Sequence, residues 1–130
     1  MKNLGVGLSK PIVCYDTQNG IWASRAAFTL NAHGHPDVRV LDGGLTLWQA
    51  SGKSVESGAV AKGDDTNFGF IFHRDHVACF EDVREISAGV EQVQLVDGRP
   101  AAAFQAGNIP GSISCPAPGF INANNSMKTP

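Results

Sequence analysis

The sequence predicts an α/β fold with a parallel sheet, and two observations lead to this prediction. Residues 11–15 and 38–41 are short apolar runs with β-branched side chains, which is typical of buried strands. Between them, residues 21–34 carry apolar side chains at helical spacing. A strand, a helix and a second strand in this order form a βαβ unit, whose strands are parallel and whose crossover is right-handed.

The first strand ends at Asp16, and the polar residues 17–20 predict a tight loop before the helix. Gly34, with a proline two residues later, is a typical stop signal for that helix. We expect its apolar residues to lie on two adjoining stripes, with Trp22, Ala26 and Leu30 on one stripe and Ala23 and Ala27 on the other.

The second strand is followed by a turn at residues 43–44 and by a short helix over residues 45–50. Trp48 lies on the apolar face of that helix, so we expect it in the core. The composition then shifts to Gly, Ser, Lys and Asp from residue 51 onward. We assign residues 53–67 to a flexible linker.

The remaining elements of the chain are shorter. Aromatic and apolar content predicts a strand at residues 68–72, and helical spacing of Phe80, Val83 and Ile86 predicts an amphipathic helix at 79–88. Further predictions are a strand at 93–96, a helical turn at 100–104 and a short strand at Ile113. Residues 117–130 are rich in Asn and Pro, and we expect them to be mobile.

Composition excludes several classes of protein. The 130 residues are 42% apolar and 17% charged, which describes an ordinary globular domain, and no apolar run has the length of a membrane span. The net charge is −2 with dispersed basic residues, which argues against a nucleic-acid partner. The first ten residues lack the features of a secretory or transit signal, so we expect no targeting segment there.

The three cysteines, Cys14, Cys79 and Cys115, are odd in number and far apart, which favours a reduced environment. They fit no metal-ligand spacing, and the two histidines at positions 33 and 35 have no further ligand nearby. The sequence therefore predicts neither a metal site nor a cofactor.

One loop is a candidate anion-binding site. It follows the carboxyl end of a strand and precedes the amino end of a helix, where backbone N–H groups and the helix dipole favour negative charge. We assign this loop to Asp16, Thr17, Gln18, Asn19, Gly20 and Ile21. The alternative is that the loop is structural, because every strand-to-helix turn shares this form.

Several motifs of the chain occur in one family. YD, GIWASRAAF and GHPDVRVLDGGLTLW resemble the end of the first, non-catalytic domain of the tandem rhodanese-type sulfurtransferases, which act on thiosulfate or 3-mercaptopyruvate. VQLVDGR and AGNIPGSISCP resemble the beginning of their second domain. The resemblance implies that residues 1–52 form the second half of a rhodanese-like domain and residues 68–116 a first half. The two would form either one circularly permuted domain or two half-domains.

The resemblance also implies which residues carry the chemistry. Family members use a cysteine thiolate at the start of the cradle loop as the sulfur carrier, and this sequence has Asp16 there, so we assign no catalytic residue. Ala103 stands where active members carry a substrate-binding arginine, and Asn108 where a histidine is usual. Cys14 is a poor candidate for an alternative sulfur carrier, because a thiol inside an apolar strand is usually inert. The structural motif residues that the family implies are Arg25, Asp97, Arg99, Gly107 and Gly111, of which we expect the two arginines to hydrogen-bond carboxylates or backbone carbonyls.

Two functions follow. The first is a non-catalytic rhodanese-like module, a pseudoenzyme with a structural or protein-interaction role, as an accessory part of a larger assembly. The alternative is a thiosulfate or 3-mercaptopyruvate sulfurtransferase that becomes active when missing residues or a partner complete it. A small-anion regulatory domain is a weaker third hypothesis. We expect a protein partner or self-association, and the resemblance implies a mitochondrial or cytoplasmic location.

Overall fold

The computed structural model describes residues 5–59, 66, 68, 69 and 71–128. It divides into two compact units, Met1–His76 with Ala123–Ser126 and Val77–Asn122 with Met127–Pro130. The predicted α/β class is confirmed, since helices accompany parallel strands in each unit. The division of the chain into two rhodanese-like halves and a linker stays a prediction.

The first unit is built on the predicted βαβ motif. Its strands and helices are β1 (Ile12–Cys14), α1 (Ile21–Ala32), β2 (Val38–Val40) and α2 (Gly44–Ala50). β1 and β2 pair in parallel, with Ile12 opposite Val38 and Cys14 opposite Val40. Because the ends of parallel strands lie at one edge of the sheet, the loops after β1 and β2 meet there.

Helix α1 packs through small residues. Ala23, Leu30 and Ala32 are buried, and Ala23 and Leu30 lie two turns apart on one face. Trp22 is 61% exposed whereas Leu30 is buried, so the predicted stripe that contains both residues is not buried along its whole length. Ala23, the next residue, is buried, so this turn of the helix packs through a methyl group and leaves the indole exposed.

Trp48 is also more exposed than predicted. The residue is 43% exposed, and its indole N–H donates a hydrogen bond to the Ser54 carbonyl at 2.9 Å. The tryptophan therefore covers the chain that leaves α2 and does not fill the core.

The most buried side chain of the described part of the first unit is His35. Its Nδ1 accepts the amide of Asp37 at 3.2 Å, so Nε2 carries the proton and donates to the Gly7 carbonyl at 3.1 Å. The ring stacks on Phe68, with 6.3 Å between centroids. His35 thus holds two distant chain segments against the end of α1, and both of its ring nitrogens are occupied.

The predicted strand at residues 68–72 is wrong for the positions the structure describes there, 68, 69, 71 and 72, none of which is a strand. Phe68 is buried against His35, and the following His73 amide donates to the Ala32 carbonyl at 2.8 Å. The aromatic side chains that suggested a strand are explained by packing at the end of α1. Residues 60–65 and 67 of the predicted linker lie outside the described residues.

The second unit contains α3 (Phe80–Ser87), β3 (Leu95–Asp97), α4 (Ala101–Ala106) and β4 (Ser112–Ser114). β3 and β4 pair in parallel, with Leu95 opposite Ser112. The predicted helix at 79–88 is confirmed, and the Asp82 carboxylate closes its first turn by accepting the Cys79 amide at 2.6 Å. The helical turn after Pro100 and the strand at Ile113 are confirmed as well.

Residues 117–128 have local structure, and the mobility expected of residues 117–130 stays a prediction. A 3₁₀ helix, Ala117–Phe120, is followed by an antiparallel bridge between Ile121 and Met127. The Lys128 amide donates to the Phe120 carbonyl at 2.8 Å, which closes the segment on itself. Residues 129 and 130 lie outside the described residues. None of the described helices is both long and apolar enough to span a bilayer.

Candidate functional site

The loop between β1 and α1 encloses a carboxylate. Oδ1 of Asp16 accepts the backbone N–H groups of Gln18 at 2.8 Å and Gly20 at 3.0 Å. Oδ2 accepts those of Trp22 at 2.8 Å and Ala23 at 2.9 Å. Four amides from six consecutive residues therefore converge on one side chain.

Two successive left-handed residues give the loop this shape. Asn19 has φ +58° and Gly20 has φ +80°, a conformation that asparagine and glycine adopt most readily. The Ile21 amide donates to the Gln18 carbonyl at 3.2 Å, which closes the turn, and the Ser24 amide donates to the Gly20 carbonyl at 2.8 Å, which starts the helix. The turn aims the remaining amides at the position of the carboxylate.

The four amides that bind the Asp16 carboxylate, those of Gln18, Gly20, Trp22 and Ala23, form the cradle. The cradle extends beyond the predicted loop of residues 16–21. The amides of Trp22 and Ala23 belong to the first turn of α1, where N–H groups have no partner within the helix. They provide half of the hydrogen bonds to Asp16, whereas the Ile21 amide is used inside the turn. The free amides of a first helical turn were the sequence signal that would have extended the site to residue 23.

The cradle stabilises negative charge. Partial burial on its own raises the pKa of Asp16, but hydrogen bonds from Ala23, Gln18, Gly20 and Trp22 oppose it, and the net result is a lowered pKa. The amino end of α1 acts in the same direction through the helix dipole. The carboxylate is therefore ionised at neutral pH and already fills the hydrogen-bonding capacity of these four amides.

The backbone of Asp16 is held from the other side by the start of α2. The Leu45 amide donates to the Asp16 carbonyl at 2.9 Å, and Gly44 lies directly against the same oxygen with φ +56°. The turn after β2 thus fixes the carboxyl end of β1. The cradle is shaped by three elements of the first unit.

The three cysteines lie in different places: Cys14 belongs to β1, Cys79 is the N-cap residue of α3, and Cys115 follows β4. Cys14, Cys79 and Cys115 are free and partly buried, and burial raises the pKa of Cys14. A raised pKa lowers the thiolate fraction at neutral pH, and the thiolate is the nucleophile. Within the described ranges, no three histidine, cysteine or acidic side chains are grouped as metal ligands would be.

In the second unit, Arg99 connects two segments. Its guanidinium donates to Asp97 in a bidentate ion pair, with Nη2 2.6 Å from Oδ2, and the same Nη2 donates to the Gly107 carbonyl at 2.7 Å. The Asp97 carbonyl accepts the Cys115 amide at 2.9 Å. We expected Arg99 to bond Asp97 or a backbone carbonyl, and it does both, so it joins the end of β3 to the end of α4.

The other residues of the predicted structural motif are less connected. Arg25 is exposed, and its guanidinium has no hydrogen-bond partner among residues that the structure describes. Gly111 has φ +81° in the turn before β4, a conformation that favours glycine.

Asn108 donates to the Phe104 carbonyl at 3.2 Å and so closes the end of α4. An open groove of about 730 Å³ runs past Arg99 and Asn108.

Replacing Arg99 with alanine is expected to raise the pKa of Asp97 toward the ordinary aspartate value. The hydrogen bonds of Arg99 to this carboxylate, from its side chain and then its amide, lower that pKa. Carboxyl ¹³C chemical shifts followed by NMR across an acid titration measure the change. Arg25→Ala is the matched control and should leave Asp97 unchanged, and an unchanged Asp97 titration in the Arg99 variant would contradict the assignment.

Comparisons with known proteins agree with this fold. Residues 2–51 match the family model for the Rhodanese-like domain. The 3-mercaptopyruvate sulfurtransferase of Escherichia coli K12 is 33% identical over 127 residues, which cover 89% of this chain and 44% of that protein. The thiosulfate sulfurtransferase of Gallus gallus is 29% identical over 137 residues, covering 97% and 47%. The chain spans about half the length of the curated relatives it matches.

Solved structures show the same architecture. The crystal structure of the 3-mercaptopyruvate sulfurtransferase SseA from Escherichia coli superimposes with a TM-score of 0.90 at 32% identity, over 98% of this chain and 50% of that one. The wild-type structure of EanB superimposes with a TM-score of 0.82 at 23% identity, over 98% of this chain and 37% of that one. The second match shows a shared fold only.

Proposed function

We propose that this chain, a relative of the tandem rhodanese-type sulfurtransferases, is the scaffold of a sulfurtransferase of this class. The enzyme would move sulfane sulfur to a thiophilic acceptor only when further residues or a partner chain complete it. The sequence alone favours a non-catalytic module with a structural or protein-interaction role, as an accessory part of a larger assembly. The similarity to relatives named as sulfurtransferases favours the alternative. In this proposal the Asp16 loop itself is non-catalytic.

The single observation that carries the proposal is the Asp16 carboxylate in its four-amide cradle. Transfer of sulfane sulfur in this class needs a thiolate at the start of the loop, because sulfur is accepted as a persulfide. A carboxylate forms no persulfide. Its charge also repels an anionic donor such as thiosulfate from the same amides.

The three thiols of the chain do not replace the missing nucleophile. The pKa of Cys14 is raised by burial, and it lies within β1, two residues before the cradle. Cys79 is the N-cap residue of α3 and Cys115 follows β4, so neither lies in the Asp16 loop. The reacting cysteine would therefore come from residues outside these 130 or from another chain.

The exposure of the strands supports completion by another segment. Parallel strands are normally covered on both faces. In the first unit Val13 of β1 is 55% exposed, and in the second unit the paired Val96 and Ile113 are 60% and 53% exposed. The sheet of the second unit thus has an uncovered apolar pair, of the kind that a further helix or strand buries, whereas Val13 in the first unit lies opposite the charged Arg39.

Cyanolysis tests the proposal. The 130-residue chain is incubated with cyanide and either thiosulfate or 3-mercaptopyruvate, and thiocyanate is measured. We expect no turnover above the blank and no gain of one sulfur atom in the intact mass, whereas the same chain isolated from its source cells with whatever completes it should form thiocyanate. Turnover by the isolated chain that Cys14→Ser abolishes would overturn the assignment of a non-catalytic loop. A completed assembly without activity would favour the accessory, non-catalytic module.

Self-association or a protein partner is the means of completion, and sedimentation of the purified chain distinguishes a monomer from a dimer. Relatives occur in bacteria and in animals, so a mitochondrial or cytoplasmic location stays a prediction.

A further inference from the structure

The Asp16 loop contains a side-chain amide that is prone to deamidation, that of Asn19. Asn19–Gly20 is the single Asn–Gly pair of the sequence. Asparagine followed by glycine is the pair most prone to deamidation, because glycine has no side chain to hinder its own nitrogen. Asn19 is exposed to solvent, and both residues have left-handed backbone angles.

The reaction needs only water. The Gly20 nitrogen loses its proton and attacks Cγ of Asn19, a bond forms between these two atoms, and the Cγ–Nδ2 bond breaks. Ammonia leaves with the proton, and a five-membered succinimide remains. Water then opens the ring at either carbonyl carbon, which gives aspartate or isoaspartate without a change of oxidation state.

The structure holds the attacking nitrogen. The Gly20 N–H donates a hydrogen bond to Oδ1 of Asp16 at 3.0 Å. Three other backbone amides, those of Gln18, Trp22 and Ala23, donate hydrogen bonds to the same carboxylate. Deprotonation would place a negative nitrogen beside a negative oxygen, which Coulomb repulsion opposes. The hydrogen bonds from the Trp22 and Ala23 amides to Asp16 also fix the start of α1, so rearrangement of the Gly20 backbone during ring closure works against them.

We propose that Asn19 is a deamidation site that the Asp16 carboxylate keeps closed in the folded protein. The inference rests on the cradle geometry and is independent of the sulfurtransferase assignment. Once formed, isoaspartate at position 19 inserts a methylene group into the main chain and adds a carboxylate near Asp16. Both changes work against the convergence of amides on Asp16, so the modification opens the loop irreversibly.

The test follows deamidation by intact mass and by peptide mapping at mildly alkaline pH. We expect modification of residue 19 to be roughly tenfold slower in the folded chain than in denaturant, because the reaction waits for local opening. Asp16→Ala should approach the denatured rate while circular dichroism shows that it is folded. Asn125, which precedes a serine and also has a positive φ of 67°, is an internal reference whose rate should not follow Asp16.

Three further variants separate the possible causes. Asn19→Gln should abolish modification at this position. His35→Ala weakens the same unit without touching the loop, and it should deamidate more slowly than Asp16→Ala at equal stability. Asp16→Asn keeps one acceptor oxygen and loses the charge, so its deamidation rate should fall between those of wild type and Asp16→Ala.

Three results would overturn the proposal. The first is a folded wild type that deamidates as fast as the denatured chain. The second is an Asp16→Ala protein that deamidates no faster than wild type. This result would mean that the carboxylate either has no effect on the reaction or promotes it as a general base. The third is His35→Ala matching Asp16→Ala, which would assign protection to overall stability.

Discussion

Asp16→Ala is expected to lower the free energy of unfolding of the first unit by about 2 to 3 kcal/mol, the range for a charge-assisted hydrogen-bonding group that serves as a helix cap. Four backbone N–H groups lose their acceptor. Water replaces part of the loss because the loop is partly exposed, so the four bonds do not add. Urea denaturation followed by tryptophan fluorescence measures the effect, since both Trp22 and Trp48 lie in this unit.

Two controls define the origin of this loss. Asp16→Asn keeps one acceptor oxygen and is expected to lose roughly half as much stability. Glu56→Ala removes an exposed acid outside helices and strands and should change stability by less than about 0.5 kcal/mol. An Asp16→Ala protein that unfolds at the wild-type urea concentration would contradict the cradle as a stabilising contact.

The same variant should alter the pH dependence of stability. The pKa of Asp16 is lowered in the folded state, so the folded protein binds this proton less readily than the unfolded chain. The stabilisation is therefore complete above the unfolded pKa of about 4 and is lost as the pH falls through the lower, folded pKa. Wild type should lose stability on acidification in this window, and Asp16→Ala should lose less. The pKa of Asp97 is lowered as well, and this residue is present in both proteins, so its contribution is the same in each.

Gly44→Ala is expected to destabilise the first unit by about 2 to 4 kcal/mol, because it combines a strained backbone with a collision. Gly44 has φ +56°, and a methyl group at this position would overlap the Asp16 carbonyl oxygen. Relief of the overlap would move that carbonyl away from the Leu45 amide, which it accepts at 2.9 Å. Thermal and urea unfolding measure the loss.

Gly52→Ala is the matched control for Gly44→Ala. Gly52 has a similar φ of +70°, but no atom lies within 4 Å of the added methyl group. It should therefore show only the conformational cost, about 1 kcal/mol. Equal losses in the two variants would contradict the close approach of α2 to Asp16.

Local patterns were sufficient for most elements of the fold. β1, α1 and β2 were predictable because apolar and β-branched runs alternate with a helical repeat, and α3 because Phe80, Val83 and Ile86 recur at helical spacing. The strand predicted at 68–72 failed because an aromatic run packs equally well on a helix end, where Phe68 meets His35. Periodicity cannot distinguish these two forms of burial.

The sequence by itself determined that an aspartate, and not a cysteine, follows β1 at the start of a helix. It also determined that the glycines needed for left-handed turns stand at positions 20 and 44. Only the tertiary structure decided that Trp22 and Ala23 complete the cradle and that Gly44 presses on the backbone of Asp16. Hydrogen bonds and close contacts of this kind depend on distances between elements, which residue type and spacing along the chain do not specify.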